Sequence, residues 1–349
     1  MPERLALVGD HKCAWISFEE KPLGADQIRF RTEMASGKYG TWAAIMEGSS
    51  FADREFDHEM RIFKEGNKPL CAPASPTNPL AFGTAAIGVV TDIGANVKNF
   101  KPGDRVIAIP SDIRESNTVN QTSAWLLGDL DPTLALCAEP AYVSFHSVRE
   151  ANLRYGDSVA ILGLGALGLI AVRMAKESGA ERVFALDIVA GRRELAKKYG
   201  ADVVMDPREG DVALEIHKQT GGAGVDVAIE ISGSYAALET AIRCVRVTGT
   251  VCSAGFYRGD AKGLWLGREW HHNRLSMVVP HGCGWGHPPR DYPRWDAHRA
   301  YDAILSQMRR GRLNLDGLVN PVADRDQALD LFRMCRDEPD RIVKFAVKF

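Results

Sequence analysis

No uninterrupted apolar run in this chain is long enough to cross a bilayer. The most apolar stretch, 158–175, is broken by Gly163, Gly165, Gly168 and Arg173. No sign of charge dominates either: 43 Lys and Arg stand against 45 Asp and Glu, a formal charge of -2, so nothing draws the chain electrostatically to nucleic acid or an anionic membrane. The seven cysteines, at 13, 71, 137, 244, 252, 283 and 335, are odd in number and never two residues apart, which fits reduced thiols better than a disulfide framework. The opening MPERLALVGDHKCAW lacks the basic-then-apolar pattern of an export signal. No segment repeats and none is of low complexity. These absences predict a cytoplasmic protein whose partner is a small molecule.

What is present is ordinary globular composition, 45% apolar and 25% charged, over 349 residues, a length that predicts two domains. The first ~145 residues are short β-rich runs punctuated by Gly, Pro and Asp. Strands are expected at 88–94 and 103–108, joined by the turn Phe100-Lys101-Pro102-Gly103-Asp104, with proline-containing loops at 72–79 and 110–122. From Asp157 the rhythm becomes strand then helix: strands at 158–162, 182–186, 203–205, 225–231 and 250–254, with helices after Gly168, from Gly191, around Ala213 and from Ala236. Such alternation argues an α/β fold with a doubly wound parallel sheet, with 275–279 as its last strand. Helices are expected at 296–309 and 325–337, and the alternating 343–349 reads as a strand returning to the first domain. The division expected is 1–125 with 281–349 as the β-rich domain and 126–280 as the parallel-sheet domain.

Gly163-Leu164-Gly165-Ala166-Leu167-Gly168 follows an apolar strand and opens a helix, the context that gives this glycine pattern meaning. The first glycine allows a tight turn, the second lets the backbone approach a pyrophosphate, the third permits close helix–strand packing, and the helix N-terminus offers N–H groups to the anion. Asp187 ends the next strand, where a carboxylate accepts hydrogen bonds from the ribose hydroxyls and repels a 2′-phosphate. NAD is therefore expected over NADP. Arg192 and Arg193 weigh the other way, since an arginine stacks on adenine or pairs with a 2′-phosphate. Ser232 and Gly255, each following a later strand, are expected to line the same crevice.

With these residues in place, the chain resembles the medium-chain dehydrogenase/reductase superfamily. The carriers are Ala35-Ser-Gly-Lys-Tyr-Gly-Thr-Trp42, Gly83-Thr-Ala-Ala-Ile-Gly-Val-Val90, Phe100-Lys-Pro-Gly-Asp-Arg-Val106, Ala138-Glu-Pro140 and the glycine turn with Asp187. The resemblance implies a GroES-like catalytic domain and a Rossmann domain. Zinc-dependent members carry a cysteine where Tyr39 stands and Gly-His-Glu where Gly83-Thr84-Ala85 stands. Zinc needs thiolate, imidazole or carboxylate donors, so a metal-free enzyme is expected. The four-cysteine structural zinc lobe of the family is also missing, with the polar 111–118 segment in its place. The segments 36–41, 56–63 and 271–275 look most like the zinc-less subgroup that contains bacteriochlorophyllide dehydrogenase, and Glu139-Pro140 resembles the polyol dehydrogenase branch.

Without zinc, a side chain must take the proton that hydride transfer from a secondary alcohol leaves behind. Thr41 matches the family's proton-relaying hydroxyl. Tyr39 can act if a cation lowers its pKa from ~10; Lys38 is that cation or the base itself. Consecutive residues of an extended chain point to opposite sides, so both face one pocket only across a local turn. Glu139 is a candidate acceptor for substrate hydroxyls or a base, and equally a carboxylate that suits a helix N-terminus. His281, Cys283 and His287 lack a fourth donor at sensible spacing, and their loop, with Trp285 and Trp295, is read as shaping a pocket or a subunit contact. The expected activity is NAD-dependent, zinc-independent oxidation of a secondary hydroxyl on a polyol, sugar, cyclitol or related alcohol. The alternatives are an NADPH-dependent quinone or enoyl reductase of the same fold, or a non-catalytic NAD-binding protein. An apolar edge strand at 275–279 predicts a homodimer or homotetramer.

Overall fold

The computed structural model describes residues 1–9, 12–38, 54–66, 74–280, 290–338 and 340–349. They fall into two compact units, Met1–Leu136 with Val319–Phe349, and Cys137–Leu318.

The first unit is built from strands. In chain order these are β1 (Glu3–Gly9), β2 (Lys12–Ser17), β3 (Gln27–Ser36), β4 (Arg54–Asp57), β5 (Ile62–Glu65), β6 (Leu80–Ala81), β7 (Ala85–Ile93), β8 (Arg105–Ala108), β9 (Ser116–Asn120) and β10 (Ala124–Leu126). Ile28 and Phe30 alternate with Arg29 and Arg31 on β3, which buries one face of the strand. β3 is the hub of the largest sheet: it pairs antiparallel with β7 and with β9. The expected turn between β7 and β8 is present, its Asp104 carboxylate accepting from the Lys101 N–H at 2.9 Å.

The chain returns to this sheet after the second unit. β17 (Val319–Asp324) and β18 (Lys344–Lys348) pair in parallel, and β18 lies antiparallel to β3 with Val347 opposite Ala35. The closing strand thus goes where its alternation predicts. The helix expected over 325–337 begins as a 3-10 turn, Arg325–Gln327, and becomes α-helical at Ala328–Asp337. Phe82 is the centre of the core here, with Phe332 edge-on at 6.0 Å and Phe345 stacked at 6.2 Å. Truncating such a buried phenylalanine costs about 3–5 kcal/mol.

The second unit is a six-stranded sheet among the described residues, in the order β13-β12-β11-β14-β15-β16. Its strands are β11 (Ser158–Leu162), β12 (Arg182–Leu186), β13 (Val203–Met205), β14 (Val225–Glu230), β15 (Val245–Ser253) and β16 (Ser276–Val278). Every pairing is parallel. Near-continuous Val, Ile, Ala and Leu in β11, β12 and β14 bury both faces, as a sheet covered by helices on each side requires. The helices Ala166–Glu177, Ala190–Lys198, Val212–Gln219 and Tyr235–Cys244 are the crossovers. This is the doubly wound Rossmann order, in which the direction of winding reverses between β11 and β14.

Two expectations need correction. The helix after the glycine turn starts at Ala166, with Gly168 inside it, because Gly165 is already its N-cap. The boundaries between the units also differ from those expected. Residues 126–136 stay with the first unit, where the Leu127 N–H donates to Arg105 O at 2.9 Å. The described part of 281–318 belongs to the second: helix Ala297–Arg309 buries Ala300, Ile304, Leu305 and Met308 and stacks Tyr301 on Tyr142 of helix Ala138–Glu150 at 4.8 Å. An apolar helical face joins the core it can pack against, whatever its place in the sequence. No disulfide joins the described cysteines, and among the described residues no helix is long and apolar enough to cross a membrane.

Candidate functional site

Strand register builds the site. Leu162 of β11 lies beside Leu186 of β12 and Glu230 of β14, and Glu230 lies beside Ser253 of β15. Four strand ends therefore stop at one level, and the residues just past them, Gly163, Asp187, Ser232 and Gly255, share one edge of the sheet. Ligands of such folds bind outside the carboxyl ends of the strands at the reversal point.

The glycine turn has the geometry its sequence requires. Gly163 sits at φ +94, and a Cβ there would lie 2.6 Å from that of Ser232. A Cβ on Gly168 would lie 1.8 Å from Gly163 O, so only glycine lets the helix start this close to the turn. A Cβ on Gly165, by contrast, would meet no protein atom within 4 Å. That open space lies at the N-terminus of helix Ala166–Glu177, where no side chain caps the first turn of N–H groups provided by Ala166, Leu167 and Gly168. Amide donors and the positive end of the helix dipole suit a pyrophosphate there. Ser144, buried in helix Ala138–Glu150, donates to Leu167 O at 2.7 Å and ties that helix to this one.

Asp187 is 8% exposed. Its Oδ2 accepts from the Leu164 N–H at 2.6 Å and its Oδ1 from the Val189 N–H at 2.8 Å, so the turn itself orients the carboxylate. Each oxygen retains a lone pair for a ribose hydroxyl. Arg192 Nη1 lies 4.0 Å from Asp187 Oδ2. Arg193 turns away from the carboxylate and donates to Asp187 O at 2.7 Å and to Asp206 Oδ2 at 2.9 Å.

Glu230 is a site residue that motif reading missed. It is fully buried, and its carboxylate accepts from the Ser232 N–H at 2.8 Å, the Gly233 N–H at 3.1 Å, the Ser232 hydroxyl and the Tyr257 hydroxyl. Its carbonyl accepts from the Ala254 and Gly255 N–H groups at 2.7 and 3.1 Å. One residue thus locks the loops after β14 and β15 together. Burial, then the neighbouring Glu230 charge, pushes the Tyr257 phenol well above its ordinary 10, so it stays a donor. The signal was visible as a carboxylate at the end of the apolar run Val227-Ala-Ile-Glu-Ile231, directly before Ser-Gly.

The match to known proteins follows this geometry. A family model described as zinc-binding dehydrogenase matches residues 166–295. D-guloside 3-dehydrogenase of Escherichia coli (strain K12) is 30% identical over 354 residues, covering 99% of this chain and 100% of that one. The chain belongs to the medium-chain dehydrogenase/reductase superfamily. (R,R)-butanediol dehydrogenase of Bacillus subtilis (strain 168) is 29% identical over 288 residues, 72% of this chain and 78% of the relative. The solved 2R,3R-butanediol dehydrogenase from Bacillus subtilis superposes with a TM-score of 0.79 at 21% identity, covering both chains fully, and so shares the fold.

Membership in this superfamily directs attention to residues 36–41 and 83–85 of the first unit. Of the candidates there, Tyr39 and Thr41 lie outside the described residues, as do His281, Cys283, Trp285 and His287 of the later loop; Lys38 is half-buried just past β3. Thr84, in the place of a metal-binding histidine, donates its N–H and its hydroxyl to Ser36 O at 2.9 and 3.3 Å. Ala85, in the next position, is a fully buried methyl group on β7. These positions do not suit zinc: the one hydroxyl is turned to backbone and the alanine has no donor. Lys344 is a second residue that motif reading missed; it is 3% exposed and its Nζ donates to Gly37 O at 3.3 Å, one residue before Lys38. Glu139 is half-buried in the first turn of helix Ala138–Glu150, where a carboxylate suits the helix dipole.

Proposed function

We propose that this protein is an NAD-dependent dehydrogenase that oxidises a secondary hydroxyl of a sugar, glycoside or polyol to the ketone without catalytic zinc. The observation that carries the reading is Asp187, a buried carboxylate held by the glycine turn's own N–H with lone pairs left for both ribose hydroxyls. Gly163, Gly165, Ala166, Leu167 and Gly168 would cradle the pyrophosphate, Arg192 would flank the adenosine side, and Ser232 and Gly255 would line the crevice towards the nicotinamide. Bound nicotinamide would accept the hydride from the carbinol carbon.

The chain's own task is then the hydroxyl proton, which leaves as the carbonyl forms. Lys38, Tyr39 and Glu139 are the candidates to receive it, with Thr41 as a relay on the substrate oxygen. Lys344, whose Nζ donates to Gly37 O, brings a buried amine to the residue that precedes Lys38. The guloside relative, matched end to end, supports a pyranoside ring hydroxyl as substrate. The edge position of β16 among the described strands, with Val279 just past it 51% exposed, supports pairing into a dimer or tetramer.

The test is the initial rate of NADH formation over a panel of gulosides, other glycosides, free sugars, cyclitols and polyols, with chelator-treated protein and an NADP control. Turnover that survives the chelator is expected. Turnover lost on chelation and restored by zinc would sink the metal-free part, and reduction of enones or quinones with NADPH alone would replace the reading with a double-bond reductase.

A further inference from the structure

The edge that holds Asp187 carries more positive charge than an NAD site needs. Leu186 pairs with Met205, so the first residues past the two strand ends, Asp187 and Asp206, stand side by side. Three arginines surround them. Arg193 donates to Asp187 O at 2.7 Å, and Arg208 Nη2 donates to Ile188 O at 2.7 Å, which places both guanidinium groups against the backbone of the ribose-facing acid and its neighbour. On the NAD reading, a 2′-phosphate would stand on the Asp187 side of these guanidinium groups. Neither is turned there, because Asp206 engages both: its Oδ2 accepts from Arg193 at 2.9 Å and from Arg208 Nη2 at 2.7 Å, and its Oδ1 from Arg208 Nε at 2.9 Å and the Arg208 N–H at 3.0 Å.

We propose that Asp206 is a specificity-determining residue, which excludes NADP by clamping Arg193 and Arg208 in a geometry that cannot engage a 2′-phosphate; this rests on the NAD reading above. A bidentate carboxylate–guanidinium pair is a strong charge-assisted contact that uses the same donors a phosphate would, and it fixes the fork in plane. Asp206 is 5% exposed while the Arg208 side chain is 65% exposed, so the acid is the rigid partner and the arginine the one that would swing. The Arg208 guanidinium and backbone N–H, with Arg193 beside them, hold the Asp206 carboxyl well below the usual carboxylate range. Beyond it a recess of about 380 Å³ is lined by Asp206, Glu209, Asp211 and Glu215 against Arg193 and Lys218, an acidic surrounding that also disfavours phosphate. Asp187 is thus one of two exclusion devices: it repels the extra phosphate, and Asp206 withholds its natural partners.

The experiment measures dissociation constants of NAD and NADP by calorimetry for the wild type, Asp206→Asn, Arg208→Ala and the double variant, with thermal unfolding as a folding check. In the wild type NAD is expected to bind more tightly. In Asp206→Asn the preference is expected to fall about 10- to 100-fold, mainly through tighter NADP binding, as one or two charged contacts form. Adding Arg208→Ala should reverse most of that change. An unchanged preference in a folded Asp206→Asn protein overturns the proposal while leaving the NAD reading intact; a wild type that prefers NADP overturns both. Arg208→Ala alone decides the matter if the asparagine variant fails to fold: a clamped arginine contributes nothing to NADP binding, so the preference stays put, and a tenfold loss of NADP affinity would show that Arg208 was already engaged.

Discussion

The carboxyl edge of the parallel sheet and the segment around residues 36–38 and 84–85 of the β-rich unit solve different problems. At the sheet edge the functional geometry is mostly backbone: strand ends levelled by register, N–H groups at a helix start, and an acid oriented by main-chain donors. In the β-rich unit the backbone of the family persists while Thr84 and Ala85 stand where its metal donors would be. Binding a dinucleotide is a property of main-chain path, so it survives divergence; proton transfer is a property of individual side chains, so one set can replace another on the same scaffold.

The comparison breaks most sharply at the proton acceptor. Of Lys38→Met, Tyr39→Phe and Glu139→Gln, one is expected to lower kcat by about 10²- to 10⁴-fold with the NAD dissociation constant unchanged. If all three keep full turnover, the β-rich unit does not carry the acid–base chemistry assigned to it. Next in size, Gly165→Val should fold with an unaltered thermal midpoint yet lose about 100-fold or more in NAD affinity, since its side chain would fill only the open space over the turn. Preserved affinity there would move the pyrophosphate elsewhere. Glu230→Ala strands the Ser232 and Gly233 N–H groups and the Tyr257 hydroxyl, and should cost about 3 kcal/mol in urea unfolding, with Glu230→Gln recovering part of it.

A pH-dependent effect of similar size separates the two units. His146, 1% exposed with no hydrogen-bond partner on Nε2, has its pKa lowered to about 4 by burial. The unfolded chain takes up its proton first, near 6.5, so this contribution to stability is complete above that pH and declines as pH falls towards 4. The loss amounts to about 3 kcal/mol. His146→Phe should flatten that slope; an unchanged slope would place the acid sensitivity elsewhere. The Cys137–Leu318 unit is expected to show it, and the β-rich unit is not.

Much of the second unit was legible. The strands at 158–162 and 182–186 lie where their apolar runs predict, because a strand buried on both faces must be apolar throughout, and the half-buried edge strand 203–205 lies where its short run predicts. The positions of Gly163 and Asp187 directly past these strands were legible for the same reason. The start of the helix at Ala166 was not, because a glycine-rich turn hides an N-cap that has no capping side chain.

The sequence by itself thus determined a Rossmann sheet, a glycine turn with Asp187 at the next strand end, and a C-terminal strand returning to the β-rich unit, since each is written in contiguous residues with a local physical requirement. Tertiary structure alone decided three things. Helix Ala297–Arg309 packs with the second unit, Glu230 meets Tyr257 across 27 residues, and Asp206 holds two arginines against the strand end beside it. The helix joins the core its apolar face meets, and the Glu230–Tyr257 and Asp206–Arg193 contacts bring together residues far apart in the chain, so none of the three is set by a run of neighbours.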